Sequence, residues 1–494
     1  MKKPVYANGD ADSAMGIYEP QPMFTYFREL CAIPHGSGNE SGVADWLCGF
    51  AARHGLPCYR DAYHNVLITR QGDPALPPVA LQGHTDMVCE KNADTDFHFE
   101  TDGLRLTVEN GWLSAQGTTL GADDGVAVAC MMQLLSEEPW NGMPTIECLF
   151  TTDEERGMTG ASHFDYSRLQ ARTMINLDSE GEGCAWVSCA GGADIHVSYP
   201  CDTVPSAGTQ LDITISGLAG GHSGADIHKC RGNAVLIAGQ ILQSLYEETP
   251  FNLVDFYAGG KRNAIPRECM VRIAVTDPDQ VKTKTAELAA DIASVLCRED
   301  KGFRVRVEKT KVANRRADVL TFRATSRVLA FLALVPHGPI TFSPDDLTLV
   351  ESSFNLATVS RGDNGMKFGG LARSSVSQRM RELTARLGTL CRELNMVCTV
   401  SGEYPGWAYR PNTPLQQKYL RVYRELFGQE GQLAKIHAGL ECGLILDAMG
   451  DGVDCISIGP QIEDIHTPAE RLDLASFARM YQLVKALIKN ESKK

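Results

Sequence analysis

The chain has 494 residues, which is long for a single hydrophobic core and predicts two domains. Its 47 Lys and Arg residues against 61 Asp and Glu residues give a net charge of −14. This acidic balance argues against a nucleic-acid partner, because phosphate binding needs clustered Lys and Arg. No apolar run reaches the roughly 18 residues of a membrane span, and Met1-Lys2-Lys3-Pro4 precedes no secretory apolar region. The sixteen cysteines form no C-x-x-C pair, so we expect reduced thiols and a cytoplasmic protein.

Helical and strand patterns alternate over the first 190 residues. Amphipathic patterns predict helices at residues 23–32 and 42–53. Short apolar runs predict buried strands at residues 66–69, 79–82, 146–151 and 174–177. A helix is predicted at residues 126–135, between the second and the third of these strands. Strands separated by crossover helices indicate a mostly parallel sheet covered on both faces.

A different pattern begins near residue 194. Strands are predicted at 211–215, 270–275, 354–359, 366–371 and 397–400, and helices at 234–246, 279–297 and 376–394. After residue 404 the first pattern returns, with helices at 414–427 and 474–488 and a buried strand at 455–458. We therefore expect an α/β catalytic domain with a mostly parallel sheet, residues 1–193 and 403–494. An α+β lid domain, residues 194–402, would be inserted into it.

Five short segments concentrate residue types that bind metals, and each follows an apolar run or begins a helix. They are residues 82–87 (QGHTDM), 121–125 (GADDG), 152–157 (TDEERG), 176–180 (NLDSE) and 463–468 (EDIHTP). Ligands of open α/β sheets bind beyond the carboxyl ends of the strands, so we expect these segments to meet there. A lone His-x-Asp is usually a loop and a lone Glu-Glu pair usually a solvated surface, so the prediction depends on all five together.

The chemistry of this set favours a two-metal site. Two imidazoles with several carboxylates suit Zn, Mn or Co better than Mg or Ca, which prefer oxygen ligands alone. They suffice for two ions that share a bridging ligand. Asp86 is close enough in sequence to His84 to fix the orientation of its ring. In the adjacent Glu154-Glu155 pair, one carboxylate can bind metal while the other remains free as a base.

The order of these motifs resembles the co-catalytic zinc peptidases of the aminoacylase and carboxypeptidase-G type. Within that group the chain is most similar to the aminoacyl-histidine dipeptidases (Xaa-His dipeptidase, peptidase D). The segments that carry the closer resemblance are residues 117–123 (GTTLGAD), 220–224 (GGHSG), 262–267 (RNAIPR) and 437–443 (HAGLECG). With the five metal segments they extend over nearly the whole chain.

The resemblance implies a role for each motif residue. The implied metal ligands, with Asp123 as the bridge, are His84, Asp123, Glu155, Asp178 and His466. The implied catalytic residues are Asp86, the partner of His84, and Glu154, the general base. In the lid, His222 would reach the scissile carbonyl. Asn263 and Arg373 would hold the substrate, and Arg373 would bind the carboxylate of the substrate.

The implied activity is hydrolysis of unblocked dipeptides, including Xaa-His and carnosine-like ones, with two divalent ions. Zinc is the first expectation, with cobalt or manganese as alternatives. An N-acyl amino acid deacylase with the same metal site remains an alternative, because the two reactions differ only in what flanks the amide. A non-catalytic binding protein is a third interpretation, which the retention of all ligand types and Glu154 disfavours. The expected partner is a small peptide, without nucleic acid or membrane, and a homodimer is left open.

Overall fold

The computed structural model describes residues 14–489, apart from the side chain of Ala313. The N-terminal residues expected to lack a signal sequence, 1–4, therefore lie outside the described part. Over the described residues the chain forms two compact units. The first unit comprises residues up to 188, 409–435 and those from 441 onward, and the second unit comprises 189–408 and 436–440. Within residues 14–489, no helix has the length and apolar character to cross a membrane.

The strands are numbered here in chain order. They are β1 (Cys58–Arg60), β2 (Val66–Arg70), β3 (Val79–His84), β4 (Leu106–Glu109), β5 (Trp112–Ala115), β6 (Ile146–Thr151), β7 (Thr173–Asn176), β8 (Cys184–Trp186), β9 (Gly191–Pro200), β10 (Thr203–Pro205), β11 (Thr209–Ser216), β12 (Gly221–His222), β13 (Asn252–Ala258), β14 (Ala264–Ile265), β15 (Cys269–Val275), β16 (Arg304–Lys309), β17 (Asp318–Leu320), β18 (Gly338–Ser343), β19 (Asp346–Gly362), β20 (Gly365–Ser374), β21 (Val397–Tyr404), β22 (Gln432–Ala434), β23 (Asp454–Ser457), β24 (Ile462–Glu463) and β25 (Arg471–Asp473). The α-helices span Gln21–Cys31, Ser41–Arg53, Ala122–Ser136, Glu154–Gly157, Thr159–His163, Ala234–Glu248, Pro278–Val295, Phe322–Leu334, Ser377–Glu393, Pro414–Phe427, Glu441–Met449 and Leu474–Ile488.

The main sheet of the first unit has the order β1-β2-β6-β3-β7-β23-β8-β22. Its centre, β6-β3-β7-β23, is parallel, whereas β1, β2 and β6 pair antiparallel at one edge. Every residue of β3 and β6 is buried, as expected for strands covered on both faces. The carboxyl ends of β3, β6 and β7 therefore share one edge of the sheet.

The helix Ala122–Ser136 lies in the core of the first unit and is buried along almost its whole length. Gly125 permits a close approach here, because a Cβ atom at this position would lie 3.1 Å from both Leu30 and Phe27. The C-terminal helix adds Phe477, whose ring packs edge-on against Phe24 at 5.3 Å between centroids. This apolar packing fixes the start of the helix, where Asp123 lies.

The second unit is an antiparallel sheet with helices packed on it. The strand order is β16-β11-β15-β13-β19-β20-β9-β21, and β18 also pairs with β19. Strand β11 alternates between buried and half-buried residues, in agreement with one covered face. A small ladder joins β12 to β14 and brings His222 opposite Ala264.

The predicted fold class, an α/β unit with a mostly parallel sheet and an α+β insertion, is confirmed. The predicted lid range, 194–402, lies inside the second unit as the structure divides the chain. The short stretch 436–440 also belongs to the second unit, which the sequence patterns did not indicate.

Candidate metal centre

The predicted ligands on the main sheet lie at the carboxyl ends of its central strands. His84 is the last residue of β3, and Asp178 follows β7 by two residues. Glu154 and Glu155 begin the short helix after β6. Because these strands are parallel, the topology alone brings three of the five predicted segments together.

The other two predicted ligands are placed by less regular backbone. Asp123 lies in the first turn of the helix Ala122–Ser136, where Asp123 and Asp124 have non-helical backbone angles. His466 follows β24 and has a φ of 62°. Positive φ is uncommon for residues other than Gly and is found where a site dictates the direction of a side chain.

The carboxylate of Asp123 lies between the two imidazoles. Its Oδ1 is 3.1 Å from His84 Nε2, and its Oδ2 is 3.2 Å from His466 Nε2. His84 Nε2 is also 3.7 Å from Asp178 Oδ1, and His466 Nε2 is 2.9 Å from Glu155 Oε1. Among the described residues the candidate ligand atoms form three clusters, each within 4.8 Å, and the two that comprise only predicted ligands share Asp123. This is the arrangement that two ions with one bridging carboxylate require.

The three carboxylates of this centre are largely shielded from solvent, whereas the side chain of His466 is 45% exposed. The side chains of Asp123, Asp178 and Glu155 are 17%, 12% and 9% exposed. In the described part of the chain, their ion pairs are all with His84 or His466, and none is with Lys or Arg. Carboxylates crowded in this way repel one another unless a cation lies among them. The donor set therefore fits divalent metal ions.

The pKa values report the same crowding. Burial raises the pKa of Asp178 well above its usual range, against the effect of His84, and the charges of Asp124 and Asp123 raise it further. Burial also raises the pKa of Asp123, but hydrogen bonds with His466 and His84 outweigh it and hold the net pKa well below its usual range. Hydrogen bonds with Asp123 and Glu155 raise the pKa of His466 to about 10.

Asp86 supports the site without belonging to either cluster. Its backbone carbonyl lies 3.0 Å from His84 Nδ1, and its Oδ1 lies 3.4 Å from the same nitrogen. Its carboxylate accepts hydrogen bonds from Ser37 Oγ at 2.7 Å and from the backbone amides of Glu154 and Glu155 at 3.0 and 3.3 Å. Burial raises the pKa of Asp86, but hydrogen bonds from His84 and Ser37 lower it to about 2. One ionised carboxylate therefore orients His84 and the Glu pair together.

The two adjacent glutamates differ in their surroundings. Glu155 contacts His466, whereas no hydrogen-bond donor within residues 14–489 contacts the carboxylate of Glu154. Burial raises the pKa of Glu154 to about 8, with His84 opposing and Glu441 and Glu155 adding to the shift. Glu154 also lies within 4.8 Å of His84 and Glu155. It is thus a half-buried carboxylate at the edge of the cluster, without a hydrogen-bond donor among the described residues.

Sequence reasoning missed Glu470, which fixes the loop that carries Asp123. Glu470 is 2% exposed, and its carboxylate accepts hydrogen bonds from the backbone amides of Leu120, Gly121 and Ala122 at 2.8, 3.2 and 2.8 Å. The amide of Asp123 is 3.5 Å away. The sequence indicated Glu470 only by its position four residues after His466. Its role could not be predicted, because the hydrogen-bond donors are backbone groups and leave no pattern in the sequence.

The predicted substrate residues lie in the second unit, where the structure brings His222 and Arg373 together. Arg373 is 4% exposed, with Nη2 3.4 Å from His222 Nε2 and Nη1 3.3 Å from Tyr404 Oη. Within the described residues, no carboxylate pairs with Arg373, and its Nε has no hydrogen-bond partner. Asn263 is exposed, and its backbone carbonyl accepts a hydrogen bond from Ser223 at 2.8 Å.

The orientation of His222 follows from its backbone contacts. Its Nδ1 accepts hydrogen bonds from the amides of Gly224 and Ala225 at 3.3 and 3.0 Å. Burial, together with the charge of Arg373, lowers the pKa of His222. The neutral ring therefore carries its proton on Nε2, so Nε2 and the guanidinium of Arg373 both offer donors. An acceptor oxygen of a ligand would satisfy both groups.

The fold and the two carboxylate–imidazole clusters together define a metallopeptidase. Residues 80–490 match the sequence pattern of peptidase family M20/M25/M40, and the chain belongs to this family. This confirms the resemblance inferred from the motifs.

Almost the whole chain is matched by two relatives that are more than 30% identical to it. It is 34% identical over 484 residues to the cytosol non-specific dipeptidase of Escherichia coli (strain K12), covering 97% of this chain and 99% of that protein. The crystal structure of aminoacylhistidine dipeptidase from Vibrio alginolyticus superposes with a TM-score of 0.89 at 31% identity, covering 97% of this chain and 98% of that one. Aminopeptidase PepT from Bacillus cereus, with a TM-score of 0.55 at 16% identity over 96% of this chain and 99% of that one, shares the fold.

We predict that Glu470→Ala weakens metal binding by roughly 10- to 100-fold, as is typical when a group that orients a metal ligand is lost. The loss of four backbone contacts would free the loop of Asp123. Competition with a chromophoric chelator measures the affinity. Glu463→Ala is the control, because Glu463 lies on the same segment but forms an exposed pair with Arg471. Equal affinities in the two variants would contradict the prediction.

Proposed function

We propose that this peptidase hydrolyses dipeptides with free ends in the cytoplasm, using two divalent metal ions. The observation that carries the proposal is the position of Asp123 between His84 and His466. A second carboxylate lies near each imidazole, Asp178 near His84 and Glu155 near His466. The names of the two full-length relatives, a cytosol non-specific dipeptidase and an aminoacylhistidine dipeptidase, support the substrate class. Xaa-His and carnosine-like dipeptides are included in it. Assembly into a homodimer stays a prediction.

The metal ligands in this proposal are His84, Asp123, Glu155, Asp178 and His466, with Asp123 shared by both ions. Zinc agrees best with a set of two imidazoles and three carboxylates, and cobalt or manganese could replace it. Bound there, the ions would polarise the scissile carbonyl and acidify a water molecule.

Two further residues would transfer the proton and orient the neighbouring side chains. Glu154 is the general base, which accepts the proton of the attacking water and returns it to the leaving amine. Its carboxylate suits this role because no hydrogen-bond donor in the described part of the chain occupies it. Asp86 keeps His84, Glu154 and Glu155 in register through its hydrogen bonds.

The substrate residues of the second unit would recognise oxygen atoms. Arg373 supplies a buried positive charge for the free carboxylate of the substrate, and His222 supplies a neutral Nε2–H donor for a carbonyl oxygen. Asn263 is the third proposed substrate contact. A buried guanidinium without a carboxylate partner is unfavourable by itself, which supports an anionic ligand at this position.

We expect the purified protein to contain close to two divalent ions per chain and to lose activity on chelation. Readdition of zinc, cobalt or manganese should restore it. Metal analysis followed by a hydrolysis screen tests the proposal, with unblocked dipeptides compared against N-acetyl amino acids and a denatured protein. Full activity in metal-free protein would refute the metal site. Activity confined to N-acetyl amino acids would instead identify a deacylase.

The variants Glu154→Gln and Glu155→Gln should separate the roles of the two adjacent carboxylates. Glu154→Gln should keep both ions and the fold, while turnover falls by roughly 10²- to 10⁴-fold, as expected for loss of a general base. Glu155→Gln should lose metal, because a neutral amide is a poorer ligand for a cation. Metal content and turnover are measured on both. Loss of metal in Glu154→Gln alone would reverse the assignment.

Arg373→Met should lower kcat/KM for a free dipeptide by roughly 10- to 100-fold, the usual effect of losing a hydrogen bond to a charged group. The same dipeptide with its carboxyl end amidated should be cleaved poorly by both proteins and lose little on substitution. Arg392→Met, on an exposed helix position, is the control. A similar loss with both substrates would show that Arg373 does not bind the carboxylate.

A further inference from the structure

A buried network of polar side chains connects the strands that carry the candidate metal centre. Glu441, the first residue of the helix Glu441–Met449, is 0% exposed. Its Oε2 accepts hydrogen bonds from Gln82 Nε2 and from Thr151 Oγ1, both at 2.6 Å. Gln82 lies two residues before His84 on β3, and Thr151 is the last residue of β6, three residues before Glu154. One carboxylate therefore joins the ends of two strands.

The network continues to a third strand. Asn176, the last residue of β7, donates from Nδ2 to Gln82 Oε1 at 2.6 Å. Its Oδ1 accepts a hydrogen bond from the backbone amide of Asp178 at 3.3 Å. The side chain of Gln82 thus has both ends occupied, and its orientation is set by Glu441 on one side and by Asn176 on the other. The chain of contacts runs from Glu441 to the backbone of a predicted ligand.

The donors that Glu441 satisfies have few other acceptors. Without its carboxylate, Thr151 Oγ1 retains the carbonyl of Gly83 at 3.3 Å, and Gln82 Nε2 retains Thr151 Oγ1 at 3.1 Å. Both remaining contacts are longer than the bonds to Glu441. Each donor would then keep only one weaker, longer contact, which favours rotation of the Gln82 amide away from Asn176.

The other oxygen of Glu441 indicates that stability alone does not explain this residue. Oε1 is buried and has no hydrogen-bond partner among the described residues. An unpartnered buried oxygen is destabilising, and a core optimised for stability would avoid it. Such costs are characteristic of functional sites, where the geometry of neighbouring groups is what is preserved.

We propose that Glu441 is a positioning residue, which through Gln82, Thr151 and Asn176 fixes the strand ends that carry His84, Glu154 and Asp178. Within the described residues it belongs to none of the clusters of candidate ligand atoms, and it acts through its hydrogen-bond acceptor. The proposal rests on the proposed function of those three residues as ligands and base. Sequence reasoning had used Glu441 only as part of a family motif.

The test compares Glu441→Gln, which keeps an acceptor, with Glu441→Met, which has a similar shape and no strong acceptor. The first readout is the absorption spectrum and metal affinity of the Co(II)-loaded protein, which need no substrate. We expect Glu441→Met to change the spectrum and weaken metal binding by roughly 10- to 100-fold. Glu441→Gln should stay within about threefold of the unsubstituted protein. At saturating metal, kcat of Glu441→Met should fall by at least tenfold, with KM changed less than twofold.

The matched control is Glu147→Met, at the opposite end of β6. Glu147 is also a buried glutamate, 4% exposed, but it accepts hydrogen bonds from the amides of Gln170 and Ala171. A purely structural role of Glu441 would make the Glu147 and Glu441 variants alike, with lower melting temperatures and unchanged spectra and kcat. That result would overturn the proposal, as would equal losses in Glu441→Gln and Glu441→Met.

A variant that removes less of the network guards against failure to fold. Thr151→Val is nearly isosteric and deletes one of the two donors to Glu441, so it should change the Co(II) spectrum in the same direction. An unchanged spectrum there would count against the proposal. Failure to cleave any dipeptide would refute the proposed substrate but not Glu441, because the Co(II) readout is independent of turnover.

Discussion

Mutual repulsion among crowded, half-buried carboxylates is the constraint on which the organisation of this protein depends. Asp123, Glu155 and Asp178 approach two imidazoles and one another in a largely solvent-shielded space. Such an arrangement is unfavourable without a cation, so the surrounding structure has to hold it by other means. The apolar core around the helix Ala122–Ser136 and the parallel strands supply rigid supports, and the strand ends supply the side chains.

The groups around the cluster act mainly on backbone and strand ends. Asp86 accepts hydrogen bonds from backbone amides of the turn after β6, and Glu470 accepts hydrogen bonds from backbone amides of the loop before Asp123. Glu441 gathers side-chain donors from β3 and β6. Each is a buried carboxylate that satisfies several donors at once, and each restrains a different part of the centre. Carboxylates therefore restrain the site from outside, in addition to supplying most of its proposed ligands.

The sequence predicted the parts of the site that depend on local pattern. His84 ends one fully buried strand and the Glu pair begins the short helix after another, and parallel topology then dictates that they meet. The sequence did not reveal Glu470 or the role of Glu441, because their donors are distant in the chain and include main-chain amides. The antiparallel edge formed by β1 and β2 was equally hidden, since strand pairing depends on tertiary packing rather than on the local apolar run.

The family is established by matches over nearly the full length, whereas ligand, base and substrate roles are inferred from contacts. Arg373 and His222 illustrate the difference. His222 Nε2 lies 3.4 Å from Arg373 Nη2, and the amide of Ala225 on His222 Nδ1 favours a ring proton on Nε2, a geometry that the motifs alone could not reveal.

The distance along the chain between Asp123 and its partners has a consequence for biosynthesis. His466 is 343 residues and Glu470 is 347 residues downstream of Asp123. Since the N-terminal part is synthesised first, the nascent chain contains four of the five proposed ligands long before His466 is made. The cluster of Asp123, Glu155 and His466 therefore cannot form before synthesis is nearly complete, and a message truncated near its 3′ end would yield a product without His466.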